Sequence, residues 1–198
     1  LSLTPMTSTF ADNPQPRKIY SGWVPYYSMK TSLPAVLNNI DLTKEVMPFW
    51  FTIKYNGSKV SITDLYSPAN PSVPMATPLA TMKSAGLTVI PTITDGTDKL
   101  VLSNLLSTEN GRAAAVQAIV DLVAANNFDG IDLDFENFAF VDGNTSWDKT
   151  KPNWVAFVKS LSTALHANAK LLSITSPYLL DPATGKKGYY VYAWADIA

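Results

Sequence analysis

Five runs rich in β-branched and aromatic residues, 19–26, 46–53, 88–94, 130–136 and 171–176, recur along the chain with longer helix-compatible segments between them. That alternation suits βα units around a parallel sheet, because parallel neighbours need a long crossover and a helix is the usual one. The clearest helical segment, 110–125, places Ala113, Val116, Ile119, Val120 and Val123 on one face. A second, 153–167, follows Pro152 and spaces Trp154, Phe157, Val158, Leu161 and Leu165 at helical intervals. Weaker helical patterns cover 33–39 and 74–85, the latter stopping at Gly86. The Pro-rich stretch 66–74 reads as a loop inside one unit, since the alternation resumes after it. We expect one α/β domain over 19–198, preceded by an extended Thr-, Ser- and Pro-rich leader over 1–18.

One of the five runs breaks the rule that covers the others. A strand covered by helices in a parallel sheet is apolar on both faces. In Asp129-Gly130-Ile131-Asp132-Leu133-Asp134-Phe135-Glu136, however, a period of two puts Ile131, Leu133 and Phe135 on one side and three acids on the other. Same-face neighbours lie about 7 Å apart along a strand, so the carboxyl groups can lean together. Like charges that close in a poorly solvated space cannot all ionise, and at least one acid is expected to keep a proton near neutral pH. A protonated Glu at a strand end can act as a general acid. Two other readings stay open at this point: a solvated or ion-paired edge, and an oxygen-ligand site for Mg²⁺ or Ca²⁺. A line of residues on one strand does not wrap an ion, and no second acidic cluster is evident.

Composition narrows the chemistry. With no Cys and one His, thiolate nucleophiles, disulfides and Cys-type zinc sites are excluded, and a His-rich metal centre lacks material. Catalysis would rest on carboxylates, hydroxyls or Lys. The 15 Lys plus Arg against 16 Asp plus Glu give a net charge of −1, without blocks of like charge, so no nucleic-acid partner is expected. No run of 18 apolar residues occurs, so no membrane partner is expected.

The acidic run resembles the DGxDxDxE motif of family 18 glycoside hydrolases at every fixed position, from Asp129 to Glu136. It lies on the fourth expected strand, where that family carries it. The segments Tyr20-Ser21-Gly22-Trp23-Val24-Pro25-Tyr26-Tyr27 and Leu87-Thr88-Val89-Ile90-Pro91 are similar to its first and third strands. The resemblance implies a TIM (β/α)₈ barrel, of which this chain carries about five βα units. A complete barrel takes about 250 residues, and 192–198 resembles the start of the helix before strand six. We therefore expect the N-terminal part of a catalytic barrel, with little or no activity on its own.

The resemblance further implies hydrolysis of β-1,4 bonds next to N-acetylglucosamine, in chitin or peptidoglycan, by a retaining, substrate-assisted mechanism without a cofactor. Glu136 would donate the proton, Asp134 would orient and charge-stabilise the substrate's acetamido group, and Asp132 would share a proton with Asp134 from a deeper position. Asp129, of opposite parity, is assigned to the turn entering the strand. An extracellular or cell-wall location is expected, no signal peptide being visible in this chain, and the oligomeric state is left open. The alternative is a non-catalytic, lectin-like relative, against which the presence of Glu136 counts.

Sugar rings stack on aromatic side chains, which makes Tyr26, Phe49 and Trp50, near the ends of strands one and two, candidates for substrate binding. Trp147, in the polar loop after the acids, is a further one. Asn137 and Asp95 are expected near strand ends beside the site, Asn137 as a substrate-binding residue. His166 is expected on the back of a helix and is given no role.

Overall fold

The computed structural model describes residues 20–175. The expected leader over 1–18, the segment 192–198, and the end positions Ile19 and Ser176 of two expected strands lie outside them. In chain order the elements are β1 (Tyr20–Pro25), α1 (Met29–Leu37), β2 (Thr43–Tyr55), β3 (Val60–Asp64), α2 (Tyr66–Ala69) and α3 (Ala76–Ser84). There follow β4 (Thr88–Val89), β5 (Thr92–Asp95), α4 (Val101–Leu106), α5 (Glu109–Ala125), β6 (Gly130–Asp134), α6 (Asn137–Phe140), α7 (Trp147–His166) and β7 (Leu171–Ile174).

The main sheet runs β1-β2-β5-β6-β7, parallel throughout, so strands join in the order in which the chain supplies them. All five expected strands are present. The third is divided into β4 and β5 around Ile90-Pro91, where Pro91 has no N–H to give to a ladder. An unexpected hairpin extends β2 into antiparallel β3. Its turn runs from Asn56 to Lys59, with Gly57 at φ 90° and Asn56 Oδ1 accepting from the N–H groups of Ser58 (3.1 Å) and Lys59 (2.8 Å). The stretch expected as a loop at 66–74 begins with the single turn of α2.

The sheet is curled, not flat. β1 and β6 are three strand spacings apart, which in a flat sheet would separate facing side chains by about 14 Å. Yet Trp23 Nε1 of β1 donates to Asp132 Oδ2 of β6 at 3.2 Å. The concave side is thus the lumen of a barrel wall, and among the described residues the wall does not close. Its two end strands, β1 and β7, carry the exposed Tyr20 and Leu171.

The convex side holds the core. Ile131, Leu133 and Phe135 are buried there, as the parity of two requires. The ring of Phe135 lies 5.9 Å from that of Trp154 and 6.3 Å, nearly parallel, from that of Phe157, both on α7. Helix α5 begins one residue before its expected start, where the Thr108 hydroxyl accepts from Gly111 N at 3.0 Å. Helix α7 begins at Trp147, six residues before the expected 153, so Pro152 sits inside it and not at its start. As the sixth residue of α7, past its first turn, Pro152 costs one helical hydrogen bond, the one an N–H there would give to the Asp148 carbonyl.

Two residues of the acidic motif are explained by the sheet alone. A Cβ on Gly130 would stand 2.2 Å from the Leu171 carbonyl oxygen of β7, so only glycine admits the neighbouring strand here. Asp129 accepts from Val89 N at 2.8 Å and pairs with Lys83 at 3.2 Å, tying the entry of β6 to β4 and α3. That is the structural role expected of it.

Candidate active site

The lumen face is set by the register. Thr92 pairs with Asp132 and Thr94 with Asp134, so the two acids of β6 and the two hydroxyls of β5 share one side of the sheet. Asp132 is fully buried, and one of its oxygens accepts from both Thr92 Oγ1 (2.8 Å) and Trp23 Nε1 (3.2 Å). Its other oxygen is buried without a hydrogen-bond partner among the described residues, and so is Oδ1 of Asp134. Each of the two carboxyl groups thus keeps one buried oxygen bare, which makes carrying a charge there costly. Burial, then the charge of Glu136, then that of Asp132, push the Asp134 carboxyl up to about 6. The proton expected within the trio is therefore one that Asp134 releases only near pH 6.

Glu136 departs from the expectation in one respect. The strand stops at Asp134, and Glu136 has helical backbone angles (φ −92°, ψ −12°) as the residue preceding α6. The period of two therefore does not extend to it; its side chain is exposed, and its charge acts on the Asp134 carboxyl. Fully buried Phe135 and Phe138 on either side anchor this turn of the backbone in the aromatic layer, Phe138 lying 5.5 Å edge-on to Trp154. The result is a column of acids graded by depth: Asp132 enclosed, Asp134 half-buried, Glu136 in water.

The aromatic candidates divide. Phe49 pairs with Thr92 and meets Trp23 edge-to-face at 6.4 Å, which places it on the lumen face. Trp50 does not line the lumen. A register irregularity between Phe49 and Phe51 makes Trp50 the extra residue, and it turns into the core with no exposure, its ring 5.0 Å from that of Tyr66. Tyr26 stands just past β1 at the carboxyl end, partly packed on the core and edge-on to the exposed Tyr27 at 5.2 Å. Trp147 is half-buried and donates from Nε1 to Phe138 O at 2.8 Å, a bond that folds its loop back on α6.

Asn137 is engaged in loop structure, not held free for substrate. Its amide donates to Thr97 O (3.1 Å) and Asp95 O (3.5 Å), joining the turn after β6 to the loop after β5. Asp95 lies in the same junction, accepting from the N–H and hydroxyl of Thr97. Burial lifts its carboxyl above the ordinary range despite those two bonds, and the charge of Asp142 adds to the effect. His166 is exposed on the last turn of α7, as expected. Sequence reasoning missed Trp23 and Thr92 as partners of Asp132, although both sit at lumen parity in their strands. It also missed Asp142, for which a polar loop offers no periodic signal. Among the described residues no three His, Asp or Glu side chains converge on a point that could hold a metal ion. None of the helices there is long and apolar enough to cross a membrane.

Comparison with known proteins adds the following. The profile of the family described as Glycosyl hydrolases family 18 matches residues 20–198. Among solved structures, the chain is similar to a chitinase from Chromobacterium violaceum (TM-score 0.66, 18% identity, 89% of this chain and 52% of that one). It is also similar to the Group II chitinase catalytic domain 2 of Ostrinia furnacalis, solved as a mutant with penta-N-acetylchitooctaose (0.64, 18%, 80% and 43%). A third similar structure is the spore cortex-lytic enzyme SleL of Bacillus megaterium (0.62, 16%, 89% and 38%). At these identities the likeness is one of fold, that of glycosidase barrels, and the chain spans about half the length of the chitinase chains or less. Curated proteins yielded no match.

Proposed function

The chain belongs to glycosyl hydrolase family 18, and from that premise we propose that the protein hydrolyses β-1,4 bonds next to N-acetylglucosamine, retaining configuration by a substrate-assisted route. The observation that carries the reading is the graded acid column: one exposed carboxyl at the mouth, one held near pH 6 beneath it, one enclosed and hydrogen-bonded below. Glu136 gives its proton to the glycosidic oxygen as the bond to the anomeric carbon breaks. The acetamido oxygen of the same sugar attacks that carbon, forming a cyclic oxazolinium ion. Water then opens the ring, losing its proton to the Glu136 carboxylate. Asp134, ionised and poorly solvated, steadies the positive charge on the acetamido nitrogen, and Asp132 takes up its share of the proton.

Chitin is the substrate favoured by the chitooligosaccharide bound to the Ostrinia domain, and the cortex-lytic relative supports peptidoglycan as the second choice. Since both polymers lie outside the cell, an extracellular or cell-wall location belongs to the same proposal. The test is hydrolysis of a fluorogenic N-acetylglucosamine oligomer by the full-length protein. Glu136→Gln, at an exposed position, is expected to lower kcat by about 10²- to 10⁴-fold with little change in Tm. Equal turnover by the two proteins would remove Glu136 from the mechanism. The 198 residues alone, whose described wall is open, are expected to turn over little.

A further inference from the structure

Little holds the exposed Glu136 side chain: among the described residues its carboxylate has no hydrogen-bond partner, and β6 ends two residues before it. Only the backbone turn aims it. That turn is fastened on one flank by the buried rings of Phe135 and Phe138. On the other flank it is fastened by polar groups. Asp142, 5% exposed, donates from its backbone N–H to Asn137 O at 2.8 Å, next to Glu136 in sequence. Its carboxylate reaches away to the end of the β5–α4 loop and to α4 itself, accepting from Leu100 N at 2.5 Å and from Ser103 Oγ at 3.0 Å. Leu100 has φ 63°, a left-handed conformation unfavourable for a branched side chain, at the start of α4. Together with the Asn137 bond to Thr97 O, this makes a two-point clamp between the loop that carries Glu136 and its neighbour.

We infer that Asp142 is a positioning residue for proton donation, acting through the clamp that fixes the Glu136 turn against the β5–α4 loop. The inference rests on the reading of Glu136 as donor. A carboxylate buried there is costly unless it is hydrogen-bonded, and its donors all come from the neighbouring loop and helix; a proton donor misplaced by about 1 Å can lose about 10²-fold in rate. A merely structural Asp142 would affect all substrates alike. A positioning role affects only those whose leaving group needs a proton.

The experiment measures kcat/KM of the full-length protein on a chitooligosaccharide and on the 2,4-dinitrophenyl glycoside of chitobiose, whose phenolate departs without protonation. Asp142→Asn is expected to lose about 10- to 100-fold on the oligosaccharide and less than about three-fold on the dinitrophenyl glycoside, with Glu136→Gln showing the same selectivity more strongly. Ser103→Ala, which removes one of the two donors to Asp142, is expected to show a smaller loss of the same kind. It decides the question if Asp142→Asn fails to fold by circular dichroism. Equal losses on the two substrates, or none on the oligosaccharide, would overturn the inference while Glu136→Gln stays selective. Full oligosaccharide activity in Glu136→Gln would overturn the donor reading and this inference with it.

Discussion

Asp134→Asn tests the electrostatics of the acid column without reference to activity. In the native protein the Asp134 carboxyl is held near 6 instead of near its ordinary 3.8. The folded state therefore binds this proton more tightly than the unfolded chain does. The stability it contributes is complete below about pH 4 and is lost as pH rises through 6. At about 1.4 kcal/mol per tenfold change in proton affinity, the ceiling is about 3 kcal/mol. The group is half open to water, and screening reduces the expected value to about 1–2 kcal/mol. Asparagine cannot ionise, so the variant escapes this loss. Urea denaturation at pH 4 and pH 7.5, followed by Trp fluorescence, gives the stability of both proteins. Between those conditions the balance should shift by about 1–2 kcal/mol in favour of Asp134→Asn. Other acids, Asp95 among them, titrate in both proteins and cancel in the difference. A balance that stays constant, or shifts towards the wild type, would refute the claim that Asp134 pays a desolvation and repulsion cost when ionised.

Three further substitutions follow from the packing. Thr92→Val keeps shape but removes a donor to the enclosed Asp132, and a loss of about 1–3 kcal/mol is expected in the same urea assay. Gly130→Ala sets a methyl group against the Leu171 carbonyl and should lower stability by about 3 kcal/mol or abolish soluble expression, read as a fall in Tm. Trp50→Ala is expected to cost about 3–5 kcal/mol through the cavity it leaves, with KM for oligosaccharides unchanged in whatever protein remains folded.

The acids and the strands that carry them were readable in the sequence because both depend on local period: a violated alternation shows which face of β6 is exceptional. Trp50 was named for its place near a strand end, which does not tell lumen from core; the irregularity in β2 that turns it inward is decided by pairing with β5, not by β2 itself. The extent of β6 was overestimated for a related reason. Phe135 continues the apolar pattern, yet the aromatic layer it joins is reached as the backbone turns into α6. The β3 hairpin did have a local signal, Asn56-Gly57 between alternating runs. Asp142, Asn137 and Trp23 act on partners about 40 to 109 positions away, and no window of sequence contains such pairs.

The bond from Trp23 to Asp132 also bears on how the protein comes to be folded. Strands that add to the sheet in chain order can each dock on an edge already made, which keeps most contacts local and allows assembly while synthesis proceeds. The Trp23–Asp132 tie is of the opposite kind, closing a loop of 109 positions across the concave side. It cannot form until β6 has been delivered, and once formed it holds the curvature that brings β1 over the acids. The deepest acid of the column is thus also a tie across the wall, joining the site to the bend that encloses it.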